Sequence, residues 1–310
     1  MASALPKPSV IVPGNYDGVH RGHQALLHSA RELGREHGLA TVVLTFDPHP
    51  ATVVAPQHAP SPLTTIARRR ELLLRAGADG VIVQRFDREF SQQPPEAFLA
   101  GLLAQGARGL VVGPDFRFGR DRAGDLELLG RFAAEHRLQL RVEQPFLLEG
   151  LRVSSSAVRQ ALREGQVGAA SELLGHLHDV GAVVIRGDQR GRQLGFPTAN
   201  LEPEPVLLPA DGVYAVVVRV PADGRLRPGV ANLGQRPTFD AGRSVEVHLL
   251  DGAEDLYDKS LRVAFVERIR GEKRFSGRDA LVAQIGLDCA RARERLEGFE
   301  REAMEKIAWI

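Results

Sequence analysis

Four short apolar runs punctuate the first half of this chain, each the length of one buried strand and each followed by a helical pattern. The runs are Ser9–Val12, Thr41–Phe46, Gly80–Val83 and Gly109–Val112. Between and after them, apolar residues recur at helical spacing: Leu26, Leu27, Ala30 and Leu33, then Leu72, Leu73 and Ala76. Leu99, Leu102 and Leu103 continue the pattern, as do Leu128, Leu129, Phe132 and Ala133. A strand that is apolar on both faces must be covered on both faces, and strands joined through helices run parallel. The expectation is an α/β domain with a parallel sheet. Ligands of such sheets bind beyond the carboxyl ends of the strands, so functional residues belong in the strand-to-helix turns.

Near residue 176 the pattern changes. Gly181–Ile185, Gly212–Val220, Arg243–Leu250 and Leu261–Val266 read as strands. Turn signals at Asp211-Gly212, Asp223-Gly224 and Asp251-Gly252 lie between them. This is the pattern of a small β domain, closed by helical sequence from Asp279 onward, with Leu296, Phe299, Met304 and Ile307 on one stripe. A chain of 310 residues exceeds what one core usually serves. The two patterns therefore suggest domains at 1–176 and 177–310. Asp288-Cys289 reads as a helix cap and a packed thiol, and the charges from Arg291 to Glu302 as a solvated helix face.

Composition excludes several roles. Forty Lys and Arg against 39 Asp and Glu leave a net charge of +1, without the basic excess that gripping long nucleic acid requires. Aromatic residues make up only 5%, which argues against a base-stacking platform. The one cysteine, Cys289, permits neither an internal disulfide nor an all-cysteine metal site. Met1–Pro8 lacks the apolar core of a signal peptide, and no apolar run reaches about 18 residues. The expectation is a cytoplasmic protein with neither nucleic acid nor membrane as partner.

Gly14 to His23 (GNYDGVHRGH) follows the first strand and opens the first helix. Glycines there permit a tight turn and close backbone approach, and a helix start offers free N–H groups to a phosphate. His20 and His23 lie on one helical face and could hold a triphosphate, donating to charge that develops as pyrophosphate leaves. The plain alternative is two surface histidines in a glycine-rich turn. The segment resembles the HxGH signature of nucleotidyltransferases. In its longer form it resembles the bacterial bifunctional riboflavin kinase/FAD synthetase family. Thr45–Pro50 (TFDPHP), Val112–Gly119 (VGPDFRFG) and Arg152–Arg159 (RVSSSAVR) follow in the family's order. Tyr16 stands where the family usually has Phe, Ser156 where Thr is common, and Val158 where Ile is common.

The resemblance implies a nucleotidyltransferase-type parallel-sheet domain followed by a small antiparallel β-barrel with a C-terminal helix. It places Gly14, Asn15, His20, His23, Arg152, Ser155, Ser156 and Arg159 on ATP, with Asp115 and Phe116 on the flavin. On residue chemistry alone, Ser155 and Ser156 equally suit a helix cap, Asp115 a turn, and His49 a loop without a ligand.

In the second half, Gly187–Asn200 (GDQRGRQLGFPTAN) resembles the riboflavin kinase signature. The resemblance implies ATP contacts from Gly187, Gly191, Thr198 and Asn200, with Thr198 and Asn200 also at Mg²⁺. Without it, Pro197–Asn200 reads as a polar turn. No Walker A sequence is present. In Arg243–Leu250, a period of two separates Val245, Val247 and Leu249 from Ser244, Glu246 and His248. Glu246 thus leaves the apolar face, toward a site at the barrel mouth, where the family's glutamate activates the riboflavin 5′-hydroxyl. An exposed strand glutamate is the alternative. Gly229–Gly234 (GVANLG) and Arg236–Phe239 (RPTF) also resemble the family, with Asn232 on the flavin. Asp258 replaces the glycine of the family's LYGK and can take the left-handed turn conformation itself. The implied activity is phosphorylation of riboflavin to FMN and adenylylation of FMN to FAD, with ATP as co-substrate of both. Two competing readings are a nucleotidyltransferase for another phosphorylated small molecule and a flavin-binding protein without turnover.

Overall fold

The computed structural model describes residues 8–187, 191, 194–220, 224–235, 243–252, 256–302 and 309. The chain divides into two units, Met1–Ser154 and Ser155–Ile310. The first carries strands β1 (Ser9–Pro13), β2 (Ala40–Asp47), β3 (Gly80–Arg85), β4 (Ala107–Val112) and β5 (Gln139–Val142). They form one sheet in the order β3-β2-β1-β4-β5, with every neighbouring pair parallel. The four apolar runs are four of these strands. β5 carries only Leu140 and Val142 as apolar residues and lies at the sheet edge.

Helices α1 (Arg21–His37), α2 (Pro50–Val54), α3 (Ile66–Arg75), α4 (Arg88–Ser91), α5 (Pro95–Ala104) and α6 (Leu126–Glu135) connect the strands. α1 shows why its ends fall where they do. His20 caps the start by accepting from the His23 N–H, and Gly38 ends the helix at φ 66°, its N–H returning to Gly34 O. On one face of the sheet, Ile11, Val42, Leu44, Leu110 and Val112 pack with Leu99, Leu102 and Leu129. Side chains of this size contribute roughly 1.5–3 kcal/mol each when fully buried. Short strands β6 (Leu147–Leu148) and β7 (Leu151–Arg152) form a hairpin at the end of the unit.

The second unit opens with α7 (Ser155–Arg163) and α8 (Val167–Leu174). Six strands follow: β8 (His178–Ile185), β9 (Ala199–Pro203), β10 (Gly212–Arg219), β11 (Leu226–Gln235), β12 (Arg243–Leu249) and β13 (Ser260–Arg270). They close into a barrel in the order β10-β11-β12-β9-β8-β13, antiparallel throughout. Tyr214, Val216 and Val218 fill the interior, while Val213, Ala215 and Val217 face outward and pack on Cys289, Ala292 and Leu296 of the C-terminal helix (Arg278–Glu302). β10 is thus buried on both faces, which explains its unbroken apolar run.

Three expectations change. Asp288 is no cap: it sits inside the C-terminal helix, where Arg270 of β13 donates to both its carboxylate oxygens at 2.8–3.1 Å. Cys289 beside it is packed as expected. Pro197–Asn200 is only partly a turn, because Ala199 and Asn200 pair with β12 and open β9. Glu246 does not face a barrel mouth. Its side of β12 is the outer wall, continuous across β11 with Val230 and Ala215. Arg291, Arg293, Glu294, Arg295 and Glu297 are exposed, as a solvated face requires. Asp258 adopts φ 62°, the conformation expected of the glycine it replaces. Asp188–Arg190, Arg192, Gln193, Asp223, Arg236–Phe239, Met304 and Ile307 lie outside the described residues, as does the Phe299 side chain.

Candidate active sites

The strand order of the first unit reverses between β1 and β4, the topological position where open α/β sheets bind ligands. A cavity of about 760 Å³ lies there. Gly14 and Asn15 reach it from the end of β1, His49 from the end of β2, and Asp115 and Phe116 from the end of β4. Four sequence-predicted residues, Gly14, Asn15, Asp115 and Phe116, are therefore brought together. His49 caps α2, its Nδ1 accepting from Ala51 N–H at 3.1 Å. The other ring nitrogen, Nε2, lies 3.2 Å from Asn15 Nδ2.

The turn between β1 and α1 is tightly determined. Tyr16, Gly18 and Val19 all have positive φ (53°, 84° and 44°), which side chains other than glycine adopt only under constraint. Asp17 supplies much of that constraint. Its buried carboxylate accepts from Leu63 N–H at 3.0 Å, Thr64 N–H at 3.1 Å and the Thr64 hydroxyl at 3.2 Å. It also accepts from the equally buried Arg69 at 3.3 Å. Gly14 is needed for closeness: a Cβ there would lie 2.9 Å from the Tyr16 ring.

His20 and His23 stack with ring centroids 3.6 Å apart and 16° between planes. His20 Nδ1 accepts from His23 N–H at 3.3 Å, so the neutral His20 ring carries its proton on Nε2 as a donor. Burial first, then the closeness of the His20 ring and of the Arg69 guanidinium, holds His23 well below the usual histidine range. It is therefore neutral near pH 7 and contributes hydrogen bonding rather than charge. Tyr16 packs on His23, with its hydroxyl buried and unpaired and its ionisation pushed far up by burial. Arg152 and Asp115 form an ion pair at 2.6 Å, both largely exposed. A pair of that kind contributes at most about 1 kcal/mol, so a phosphate could separate it at little cost. Ser155, Ser156 and Arg159 stand on the first turns of α7, with Arg159 buried.

Sequence reasoning missed the cavity's aromatic wall. Phe46, Phe86, Phe90, Phe98, Phe116 and Phe118 line it, six of the chain's 13 phenylalanines. Successive centroids lie 5.2–6.3 Å apart, a spacing at which rings interact favourably. The low aromatic content hid this, because composition does not record where rings gather. The Asp17 clamp was also missed, since its partners are 46–52 positions away.

The second unit assembles its own polar cluster. Asn200, Glu246 and Asn232 are direct partners across β9, β12 and β11, so their side chains share one face in a row. Gly187 and Gly191 approach this row from the connection between β8 and β9. A Cβ on Gly187 would lie 2.2 Å from Asn200 Nδ2, and one on Gly191 2.8 Å from Thr198 Oγ1. Gly187, Gly191, Thr198, Asn200, Asn232 and Glu246 thus form one group. Among the described residues, no cluster of three or more His, Cys, Asp or Glu could hold a metal ion.

The family described as FAD synthetase matches residues 2–157, and that described as riboflavin kinase matches residues 174–296. The bifunctional riboflavin kinase/FMN adenylyltransferase of Escherichia coli (strain K12) is 42% identical, over 95% of each chain. This chain belongs to the bifunctional riboflavin kinase/FMN adenylyltransferase family. A member from Pseudomonas fluorescens is 40% identical over 90% of each chain. Among solved structures, one from Streptococcus pneumoniae described as a macrolide-efflux protein is 32% identical with a TM-score of 0.86. It covers 93% of this chain and 94% of its own. Among the described residues here, no helix is long and apolar enough to cross a membrane.

Proposed function

We propose that this chain makes FAD from riboflavin in two ATP-dependent steps, with residues 177–310 acting first and residues 1–176 second. The observation that carries the reading is the match to bifunctional relatives over 95% of the chain, with a polar cluster in each unit. In the first step the riboflavin 5′-hydroxyl attacks the γ-phosphorus of ATP. Its proton passes to Glu246, a P–O bond forms, and ADP leaves. Asn232 orients the flavin, while Gly187, Gly191, Thr198 and Asn200 hold the nucleotide.

Thr198 and Asn200 also suit Mg²⁺. A hydroxyl and an amide are neutral oxygen donors, and Mg²⁺ keeps most of its waters and takes few protein ligands beside phosphate. Both glycines let these donors pack closely on the backbone, where a Cβ would collide with them. When bound, the ion neutralises phosphate charge.

In the second step an FMN phosphate oxygen attacks the α-phosphorus of a second ATP, and pyrophosphate leaves. No protein nucleophile is required, so catalysis rests on positioning and charge stabilisation. His20, His23, Ser155, Ser156, Arg159 and Arg152 carry these roles toward ATP, joined by Gly14 and Asn15. Asp115 and Phe116 hold FMN, with the phenylalanine wall supplying an apolar surface for the flavin ring. A reaction sequence consuming ATP fits a cytoplasmic enzyme.

The first test is a chromatographic time course with riboflavin, ATP and Mg²⁺, which should show FMN rising and then converting to FAD. His20→Ala should abolish FAD formation and keep FMN formation, and Glu246→Ala should stop riboflavin phosphorylation while supplied FMN is still converted. Loss of both activities in either folded variant would overturn the two-site assignment.

A further inference from the structure

His248 shares the Glu246 face of β12 but lies one step beyond the backbone ladder. Pairing between β12 and β9 runs through Val245↔Leu201, Glu246↔Asn200 and Val247↔Ala199, and stops there. The next residues of the shorter strand are Thr198 and Pro197, and proline has no N–H to extend a ladder. At that point the His248 side chain takes over: its Nδ1 lies 2.8 Å from the Pro197 carbonyl oxygen. A carbonyl only accepts, so Nδ1 carries the proton. The ring also meets Phe196 edge to face, at 5.7 Å and 81°.

Phe196 and Pro197 are in turn tied to the glycine loop. Phe196 N–H donates to Gly191 O at 2.9 Å, and Leu194 N–H donates to the same oxygen at 3.1 Å. Gly191 packs so closely on this segment that a Cβ there would lie 2.5 Å from Phe196 O and 2.8 Å from Thr198 Oγ1. One imidazole therefore ties the strand bearing Glu246 to the segment bearing Gly191, Thr198 and Asn200.

We propose that His248 is a positioning residue for phosphoryl transfer, fixing the nucleotide-binding residues Gly191, Thr198 and Asn200 against Glu246 through its hydrogen bond to Pro197. The proposal rests on the kinase reading of the barrel. It separates the two substrates, because the bond anchors the ATP side of the site and leaves the Asn232 side untouched.

The test compares His248→Ala with His248→Asn, whose side-chain NH₂ occupies nearly the place of Nδ1. Loss of a hydrogen bond of ordinary strength corresponds to roughly a five- to tenfold effect. His248→Ala should raise KM for ATP by about that factor or more, and leave KM for riboflavin within about twofold. His248→Asn should recover most of the loss. Amide hydrogen exchange of a peptide spanning residues 196–203 should quicken in the alanine variant and return toward wild type in the asparagine one. A thermal unfolding transition of the barrel near that of wild type, followed on the same samples by loss of riboflavin phosphorylation after brief heating, reports that each variant is folded. Equal effects of Ala and Asn, or equal rises in both KM values, would overturn the proposal. A wild-type protein that does not phosphorylate riboflavin would instead remove the kinase reading, and this proposal with it.

Discussion

Removing the Asp17 carboxylate should destabilise the adenylyl-transfer unit specifically. Asp17 and Arg69 are 3% and 6% exposed, so neither charge is screened well by water. Breaking a buried pair by deleting one partner costs about 3–5 kcal/mol, because the remaining charge stays in a poorly solvated position. Asp17→Ala also strips the hydrogen-bond acceptor from Leu63 N–H and Thr64 N–H, both buried. Those losses belong to the same network and do not simply add. For a unit of this size, 1 kcal/mol corresponds to roughly 2–4 °C, so the expected fall is about 6–20 °C.

The assay uses the chain's two activities as separate thermometers. Aliquots are heated briefly across a temperature series, then assayed for FMN formation from riboflavin and for FAD formation from FMN. In Asp17→Ala the midpoint for FAD formation should drop by that amount while the midpoint for FMN formation stays put. Asp17→Asn should fall between, keeping one oxygen for the backbone donors but losing the charge opposite Arg69. A midpoint for FAD formation within about 2 °C of wild type would refute the argument that the clamp holds the turn. Equal falls in both midpoints would refute its confinement to one unit.

Gly187→Ala would place a Cβ 2.2 Å from Asn200 Nδ2, so Asn200 must move. Steady-state assays should show riboflavin phosphorylation down by at least about tenfold, with FAD formation from FMN unchanged. Tyr16→Phe removes a buried hydroxyl that has no partner, so denaturant unfolding of the unliganded protein should show the unit unchanged or stabilised by about 1 kcal/mol. The lowered ionisation of His23 makes the folded state bind fewer protons than the unfolded one below the ordinary value of 6.5. Its contribution is therefore full above about pH 6.5 and is lost as pH falls, with a slope of up to about 1.4 kcal/mol per pH unit. Unfolding midpoints in urea between pH 7 and 5 should show His23→Gln with a shallower pH dependence than wild type.

The parallel sheet was legible because its central strands are buried on both faces and cannot be written in any other residues. β5 was not, since an edge strand needs only one apolar side, and Gln139–Val142 carries just that. β9 was hidden for a different reason. Its pairing with β12 begins within a Pro-Thr-Ala-Asn segment whose local signal is a turn, and only the partner strand makes it β. Asp288 misled because an aspartate within a helical pattern has two uses. Local sequence reveals the cap, whereas the ion pair depends on Arg270, 18 positions away. The Glu246 row was half legible: a period of two gave its face, but whether that face was barrel interior or outer wall depended on where the C-terminal helix packs.

The two polar clusters share one structural device, which is why both showed in the sequence as glycines beside a few polar residues. In each, a glycine occupies a position where a Cβ would collide with a neighbouring side chain: Gly14 with Tyr16, Gly187 with Asn200, Gly191 with Thr198. Phosphate chemistry without a protein nucleophile asks for backbone and side-chain donors held close together and kept from reorganising. Glycine supplies the closeness but loosens the chain, so rigidity must come from elsewhere. In the first unit it comes from the buried Asp17–Arg69 pair, and in the second from a ladder that His248 extends by one side-chain bond. The motif residues are thus legible as chemistry, while the groups that hold them still are identified only by the fold.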